Sequence, residues 1–169
     1  MAYTITTPEL GFQPIALVPT TGVVNHALGQ LCTAVDPTYG AGTFIYLYGV
    51  ASNFIGAVVT YNNLTGLTTL APNTANLGKA VAVSMTANTS ITTGSWYQVE
   101  GAAVVKKTAT AVAPGAKVYV SGTIGRVMST VASGKQYLSM TGINAATVAS
   151  ATSSVTLQIT WPVAQGAAA

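Results

Sequence analysis

Charged side chains are scarce in this chain of 169 residues, and their scarcity excludes several classes of function. Only 5% of the residues are charged, whereas about 25% is usual in globular proteins. The six cations are scattered, and Lys106-Lys107 is their only adjacent pair. Binding to nucleic acid requires a dense set of cations, because each neutralised phosphate needs its own. We therefore expect no direct nucleic-acid partner.

Cysteine and long hydrophobic runs are also nearly absent. Cys32 is the single cysteine, which excludes an intramolecular disulfide and favours a buried thiol. The first residues, MAYTITTPELGF, lack the basic and apolar regions of a signal peptide. Gly, Thr, Asn or Ser interrupts every apolar stretch before it could span a bilayer, although the mean hydropathy is +0.50. We expect a protein made in a cytoplasm, with no membrane partner.

Side chains that could act as acid, base or nucleophile are few: Glu9, Asp36, Glu100, His26 and Cys32. A glycosidase needs two carboxylates across one cleft, but only Glu100 falls in a predicted strand of the main domain. The sequence contains no G-x-S-x-G motif, no spacing typical of metal ligands and no complete phosphate-binding glycine loop. We expect no enzymatic activity, no metal and no cofactor.

Apolar residues and threonine are abundant instead. Half of the residues are hydrophobic, which argues against disorder, and threonine occurs 26 times. The polar surface must therefore consist largely of hydroxyl and amide side chains. Such a surface repels other molecules weakly, and it is typical of a protein that works packed in an assembly.

Alternation of apolar and polar residues predicts an all-β fold. In KAVAVSMT, for example, Val81, Val83 and Met85 share one face, as half-buried strands require. No stretch shows a helical period over three turns. Many short strands with frequent turn residues indicate a small antiparallel β-barrel or sandwich. Strands are predicted at residues 43–50, 56–62, 67–71, 79–86, 95–107, 116–122, 124–130, 136–141 and 154–163.

Proline divides the chain into an arm and a domain. Pro8, Pro14, Pro19 and Pro37 interrupt residues 1–40, which we interpret as an extended N-terminal arm with short β pieces such as Ile15 to Val18. Residues 41–163 would form a single β domain, with a long loop at 141–154. Residues 164–169 would be a flexible tail.

The strand predicted at residues 43–50 has two apolar faces. If Ile45 and Leu47 point into the core, then Phe44, Tyr46 and Tyr48 point away from it. Outward aromatics on one strand are typical of protein–protein contacts. The alternative is that the chain covers both faces itself, with its own arm. In the strand predicted at 95–107, Trp96 is expected to cap the edge of the core.

Four segments follow one another between Asp36 and Val127: GTFIYLYGVAS, GAVVTYN, VAVSM and WYQVEG. In this order they resemble the small structural proteins of tailed-bacteriophage heads known as capsid cement or decoration proteins. The similarity covers roughly half of the chain. Members of that family often carry an acid where this chain has Thr43.

The resemblance implies a β-rich homotrimer on the outer surface of the virion capsid. It would bind the major capsid protein and staple neighbouring subunits against the pressure of packaged DNA. The arm would reach along the shell and add a strand to capsid elements, so that main-chain hydrogen bonds give affinity. The candidate contact residues of the arm are Pro14, Ile15, Leu17 and Val18.

Two other interpretations stay open from the residues alone. One is a different virion protein, such as a head-fibre base or a tail component. The other is a surface adhesin or a carbohydrate-binding β module, which would need export and therefore a signal that the first residues do not show.

Overall fold

The structure, a computed structural model, describes residues 3–6, 11–18, 20 and 22–167. Within these ranges the chain forms eleven β-strands and no helix, so the all-β prediction is confirmed. The strands in chain order are β1 (Thr4–Ile5), β2 (Leu31–Asp36), β3 (Gly40–Tyr48), β4 (Val58–Tyr61), β5 (Thr68–Leu70), β6 (Val81–Ser84), β7 (Gly94–Lys106), β8 (Lys117–Val120), β9 (Val127–Met128), β10 (Gln136–Gly142) and β11 (Ser154–Ala164).

The strands pair in one large antiparallel sheet that is not closed into a barrel. Its main path runs β1-β2-β3-β7-β11-β10-β8-β9, while β6 joins β7 to β4, and β4 pairs with β5. The long strand β7 connects the half of the sheet that contains β1–β3 to the half that contains β8–β11. Its first half pairs with β3, from Tyr48↔Gly94 to Gly42↔Gly101, and its second half pairs with β11, from Thr160↔Glu100 to Ser154↔Lys106.

Three hydrophobic clusters hold the sheet together. The largest joins β4, β6 and the second half of β7 to strands β8–β11, so the sheet bends over onto itself as in a sandwich. The second contains Phe44, Tyr46 and Trp96, and the third contains Ile45 and Leu47 on the opposite face of β3. Strand β3 is therefore covered on both faces, which explains its unbroken apolar sequence.

Strand β2 lies inside the region expected to be an arm. Residues 31–36 pair with β3 in full register, and their side chains alternate between exposed and buried. This six-residue stretch contains no proline, so it can donate its N–H groups to the sheet. After β1 (Thr4–Ile5), which pairs with β2, the chain returns to the sheet at residue 31, ten residues before the domain boundary predicted at 41.

The segment before β2 is folded rather than extended. We call residues 11–18, 20 and 22–30 the N-terminal segment. The β piece expected from Ile15 to Val18 is wrong, because the backbone turns there and the Leu17 N–H donates to the Pro14 carbonyl at 3.0 Å. Pro8, Glu9 and Pro19 lie outside the described residues, as do the last two residues of the predicted tail.

Candidate interaction surfaces

The N-terminal segment covers an aromatic cluster on the outer face of β3 and β7. Tyr46 and Trp96 are fully buried and meet edge to face, with ring centroids 4.9 Å apart. The ring centroid of His26 lies 5.0 Å from that of Tyr46, and the ring centroid of Phe12 lies 5.7 Å from that of Trp96. Such edge-to-face and tilted contacts stabilise beyond the burial of apolar area alone. The cluster therefore fastens the segment to the sheet.

Gln13 is the polar centre of this contact. Its backbone carbonyl accepts a hydrogen bond from Trp96 Nε1 at 2.9 Å. Its side-chain Oε1 accepts from the Tyr46 hydroxyl at 3.2 Å and from Asn25 Nδ2 at 2.9 Å, while its Nε2 donates to the Leu17 carbonyl at 2.9 Å. Gln13 is 4% exposed, so these bonds are shielded from water and costly to leave unmade. Nothing in its sequence context signalled this role.

The close approach of Tyr46 to β7 depends on Gly94. A Cβ atom at this position would overlap the Tyr46 ring. The glycine thus leaves the space into which the aromatic ring packs. Its presence just before SWYQVE is readable in the sequence, but the partner that needs the space is fixed only by the register of β3 against β7.

The structure corrects the expected roles of the β3 aromatics. Phe44 and Tyr46 are both 0% exposed beneath the chain's own residues, so the expectation that they face a neighbouring molecule is wrong. Tyr48 is half-buried. Trp96 lies inside the aromatic cluster rather than capping the core edge. The alternative, cover by the arm, is the one the structure shows.

The predicted contact residues of the arm divide into two groups. Ile15 is 2% exposed and packs into the same cluster as Tyr46, so it faces inward. Pro14 is exposed, and Leu17 and Val18 expose 46% and 45% of their surface. The outer side of the N-terminal segment therefore offers apolar side chains to the solvent.

A shallow apolar groove lies elsewhere, beside β5. Its volume is about 650 Å3, and its lining includes Val50, Phe54, Leu70, Pro72 and Ile124. Neither composition nor alternation identified this groove, because its residues come from three separate loops and one strand.

An exposed apolar patch on β10 and β11 surrounds an irregular pairing. Leu138 lies directly opposite Val163, and both are exposed, as is Trp161 at 43%. The register shifts between Leu138 and Met140, and Ser139 and Trp161 both have positive φ, at 60° and 45°. Bulges and left-handed residues of this kind re-aim side chains, here toward the solvent.

Three of the side chains that could serve catalysis, Asp36, Glu100 and Cys32, lie in separate environments. Asp36 Oδ1 accepts from the N–H groups of Thr38 and Tyr39 at 2.8 and 3.0 Å. Glu100 accepts from the Thr43 hydroxyl at 3.0 Å. Burial raises the pKa of the Cys32 thiol to about 12, so its nucleophilic thiolate is disfavoured.

Metal ligands do not gather in the part of the chain that the structure describes. No group of three His, Cys, Asp or Glu side chains there could hold a metal ion. Over the same ranges, no helix is long and apolar enough to cross a membrane. No known protein family matches the chain, and no curated protein matches it either.

Proposed function

We propose that this chain is a structural virion protein that binds the outside of a bacteriophage head. It staples neighbouring major capsid subunits, as a homotrimer, and so stabilises the shell against the pressure of packaged DNA. The assignment to a phage head rests on the resemblance of residues 36–127 to capsid cement proteins. The observation that carries the assembly role is the surface of the folded chain, on which large apolar side chains are exposed and charges are few.

The exposed side chains suit contact with protein. The centres of protein interfaces are poor in charge and rich in aromatic and aliphatic groups. Trp161 with Leu138 and Val163 on β10 and β11, and the groove containing Phe54, have this character. A surface of hydroxyl and amide groups around them adds hydrogen bonds without the desolvation cost of charges. These features support a permanent place in an assembly.

The N-terminal segment takes part in a different way from the one the resemblance implied. It is hydrogen-bonded to its own sheet through Gln13, so releasing it to add a strand to a capsid subunit would expose Tyr46 and Trp96. In our proposal its outer side makes the contact, through Pro14, Leu17 and Val18. Many copies, each adding a modest interface, would then hold the shell by avidity.

The decisive experiment is analysis of purified particles of the virus that encodes the chain. Quantitative mass spectrometry should find hundreds of copies per particle, and electron microscopy should place them on the outer capsid surface. Heads stripped of the protein should burst at a lower temperature than intact heads. Absence from the particle, or only a few copies at a tail or fibre, would overturn the proposal.

A matched pair of substitutions tests the contact surface. Val18→Ser should weaken binding to stripped heads by roughly tenfold, because it removes one buried valine from the interface. Val131→Ser changes the same residue type at another exposed position, in the loop before β10, and should bind like the wild type. Equal binding by both variants would show that the contact lies away from the N-terminal segment.

A further inference from the structure

A pocket of about 540 Å3 lies where three loops meet beyond the end of β7. The loops are the one after β7, the one between β8 and β9, and the one before β11. The residues that line the pocket comprise two cations, five hydroxyl side chains and no acid. They are Lys107, Thr108, Ala109, Thr123, Arg126, Ser150, Ala151, Thr152 and Ser153.

Lys107 gives the pocket a buried positive charge. It is 2% exposed, and its ammonium group donates to the carbonyls of Thr110 and Ala149 at 2.8 and 2.9 Å and to those of Ser150 and Thr108 at 3.3 and 3.4 Å. The three ammonium hydrogens are thus directed at carbonyl groups. Burial lowers the pKa of Lys107, since no acidic side chain among the described residues lines the pocket to offset its charge.

Arg126 supplies the hydrogen-bond donors that Lys107 does not. One guanidinium nitrogen, Nη1, donates to the Lys107 carbonyl at 3.3 Å, and the guanidinium carbon lies 5.4 Å from the centroid of the Phe54 ring. These two contacts fix the orientation of the side chain. A guanidinium carries five N–H donors in a rigid fork, so most of them are left for a ligand.

We propose that this pocket binds a small oxyanion, a phosphate or a carboxylate group. The Arg126 guanidinium donates hydrogen bonds to the oxyanion, the Lys107 ammonium contributes charge at close range, and hydroxyls such as those of Thr152 and Ser153 complete the shell. A bound anion would also offset the cost of burying Lys107 without an acidic partner. This site goes beyond the virion role and does not depend on it.

The test measures thermal unfolding of the full chain with increasing inorganic phosphate, and separately with acetate. Sodium chloride keeps the ionic strength constant. Binding to the folded state raises the unfolding temperature. Arg126→Gln should weaken the apparent affinity by about tenfold or more, since hydrogen bonds to charged groups are strong. Lys117→Gln, an exposed cation on β8 outside the pocket, should respond like the wild type.

A second pair of variants keeps the test decisive if Arg126→Gln does not fold. Thr152→Asp places a carboxylate in the pocket itself and should abolish the response to added anion. Thr147→Asp adds the same charge at an exposed position of the same loop, outside the pocket, and should keep the response. A response to either anion that Thr152→Asp removes supports the proposal. No response to either anion beyond that to chloride, or an equal response in Thr152→Asp, would overturn it.

Discussion

Two buried tyrosines differ in what their hydroxyl groups contact. Tyr46 donates to Gln13 Oε1 and accepts from the Asn25 N–H, both at 3.2 Å. Tyr137 is 0% exposed in the main core, and its hydroxyl has no hydrogen-bond partner there. A buried hydroxyl without a partner loses its hydration and gains nothing in exchange. The Tyr46 hydroxyl therefore stabilises the folded state, whereas the Tyr137 hydroxyl destabilises it.

We predict that Tyr137→Phe leaves the free energy of unfolding unchanged or raises it by about 1 kcal/mol. Tyr46→Phe should lower it by about 1 kcal/mol, because the Asn25 N–H loses its acceptor and Gln13 Oε1 keeps only the hydrogen bond from Asn25 Nδ2. The two variants make the same chemical change, so each is the control for the other in urea unfolding. A loss in Tyr137→Phe as large as that in Tyr46→Phe would show that the Tyr137 hydroxyl has a partner.

The N-terminal segment is the element whose role the structure changes most. It has no strand of its own. Gln13 attaches it to Tyr46 and Trp96, and further hydrogen bonds join it to the sheet at residues 22–23 and 29–30. Elements held by few buried contacts open at lower free energy than the core. The segment is therefore expected to detach before the sheet unfolds.

Gln13→Ala should expose Trp96 under conditions in which the sheet stays folded. In a Trp161→Phe background, Trp96 is the only tryptophan, and its quenching by acrylamide reports on the segment alone. We expect quenching to rise at denaturant concentrations that leave the circular dichroism unchanged, with a loss of about 1–3 kcal/mol in the opening free energy.

Gln158→Ala is the matched control for this substitution. Gln158 is exposed on β11, and its Nε2 makes one long contact of 3.5 Å to the Ile159 carbonyl. Its removal should leave Trp96 as protected as in the wild type. If Gln13→Ala also left Trp96 protected, the aromatic contacts and the hydrogen bonds at residues 22–23 and 29–30 would suffice to hold the segment.

The strands from residue 40 onward were predictable because each is marked by alternation or by an apolar run bounded by turn residues. Predicted ranges such as 95–107 and 154–163 match β7 (Gly94–Lys106) and β11 (Ser154–Ala164) within one residue at either end. β2 was missed because the prolines around it suggested an arm, although Leu31 to Asp36 alternate clearly. The pairing of these strands joins residues far apart in the chain, and local sequence does not encode such register.

The candidate surfaces were less predictable for the same reason. The sequence showed that β3 has two apolar faces, but the cover for Tyr46 comes from a segment with no periodicity at all, and Phe44 meets the ring of Tyr3. The anion pocket likewise combines Lys107 with Arg126 and with residues 150–153, which meet only after three loops are placed. Sequence patterns identify elements that bury one face; they do not identify what covers the other.

At the scale of the whole molecule, few groups titrate at acidic pH and many titrate at alkaline pH. Burial raises the pKa of five tyrosines, to about 12 for Tyr3, and that of Cys32 to about 12. The other four are Tyr46, Tyr61, Tyr97 and Tyr137. In the unfolded chain, cysteine ionises near pH 8.5 and tyrosine near pH 10. Above these values the unfolded state binds fewer protons at these six groups than the folded state does, which lowers stability as pH rises. The lowered pKa of Lys107 acts in the opposite direction, but by one proton at most.

We therefore predict that the free energy of unfolding changes little between about pH 8.5 and pH 10, where Cys32 and Lys107 act in opposite directions, and falls steeply above about pH 10. Urea unfolding at a series of pH values gives the slope. The tyrosinate absorbance of the five tyrosines with a raised pKa, out of eight in the chain, should appear together with unfolding rather than before it. Tyr137→Phe removes one of the linked protons, so its slope above pH 10 should be shallower by about 1.4 kcal/mol per pH unit. Tyrosinate absorbance from all eight tyrosines near pH 10 in a chain that is still folded would contradict the prediction, because it would mean that the hydroxyls of these five reach water in the native state.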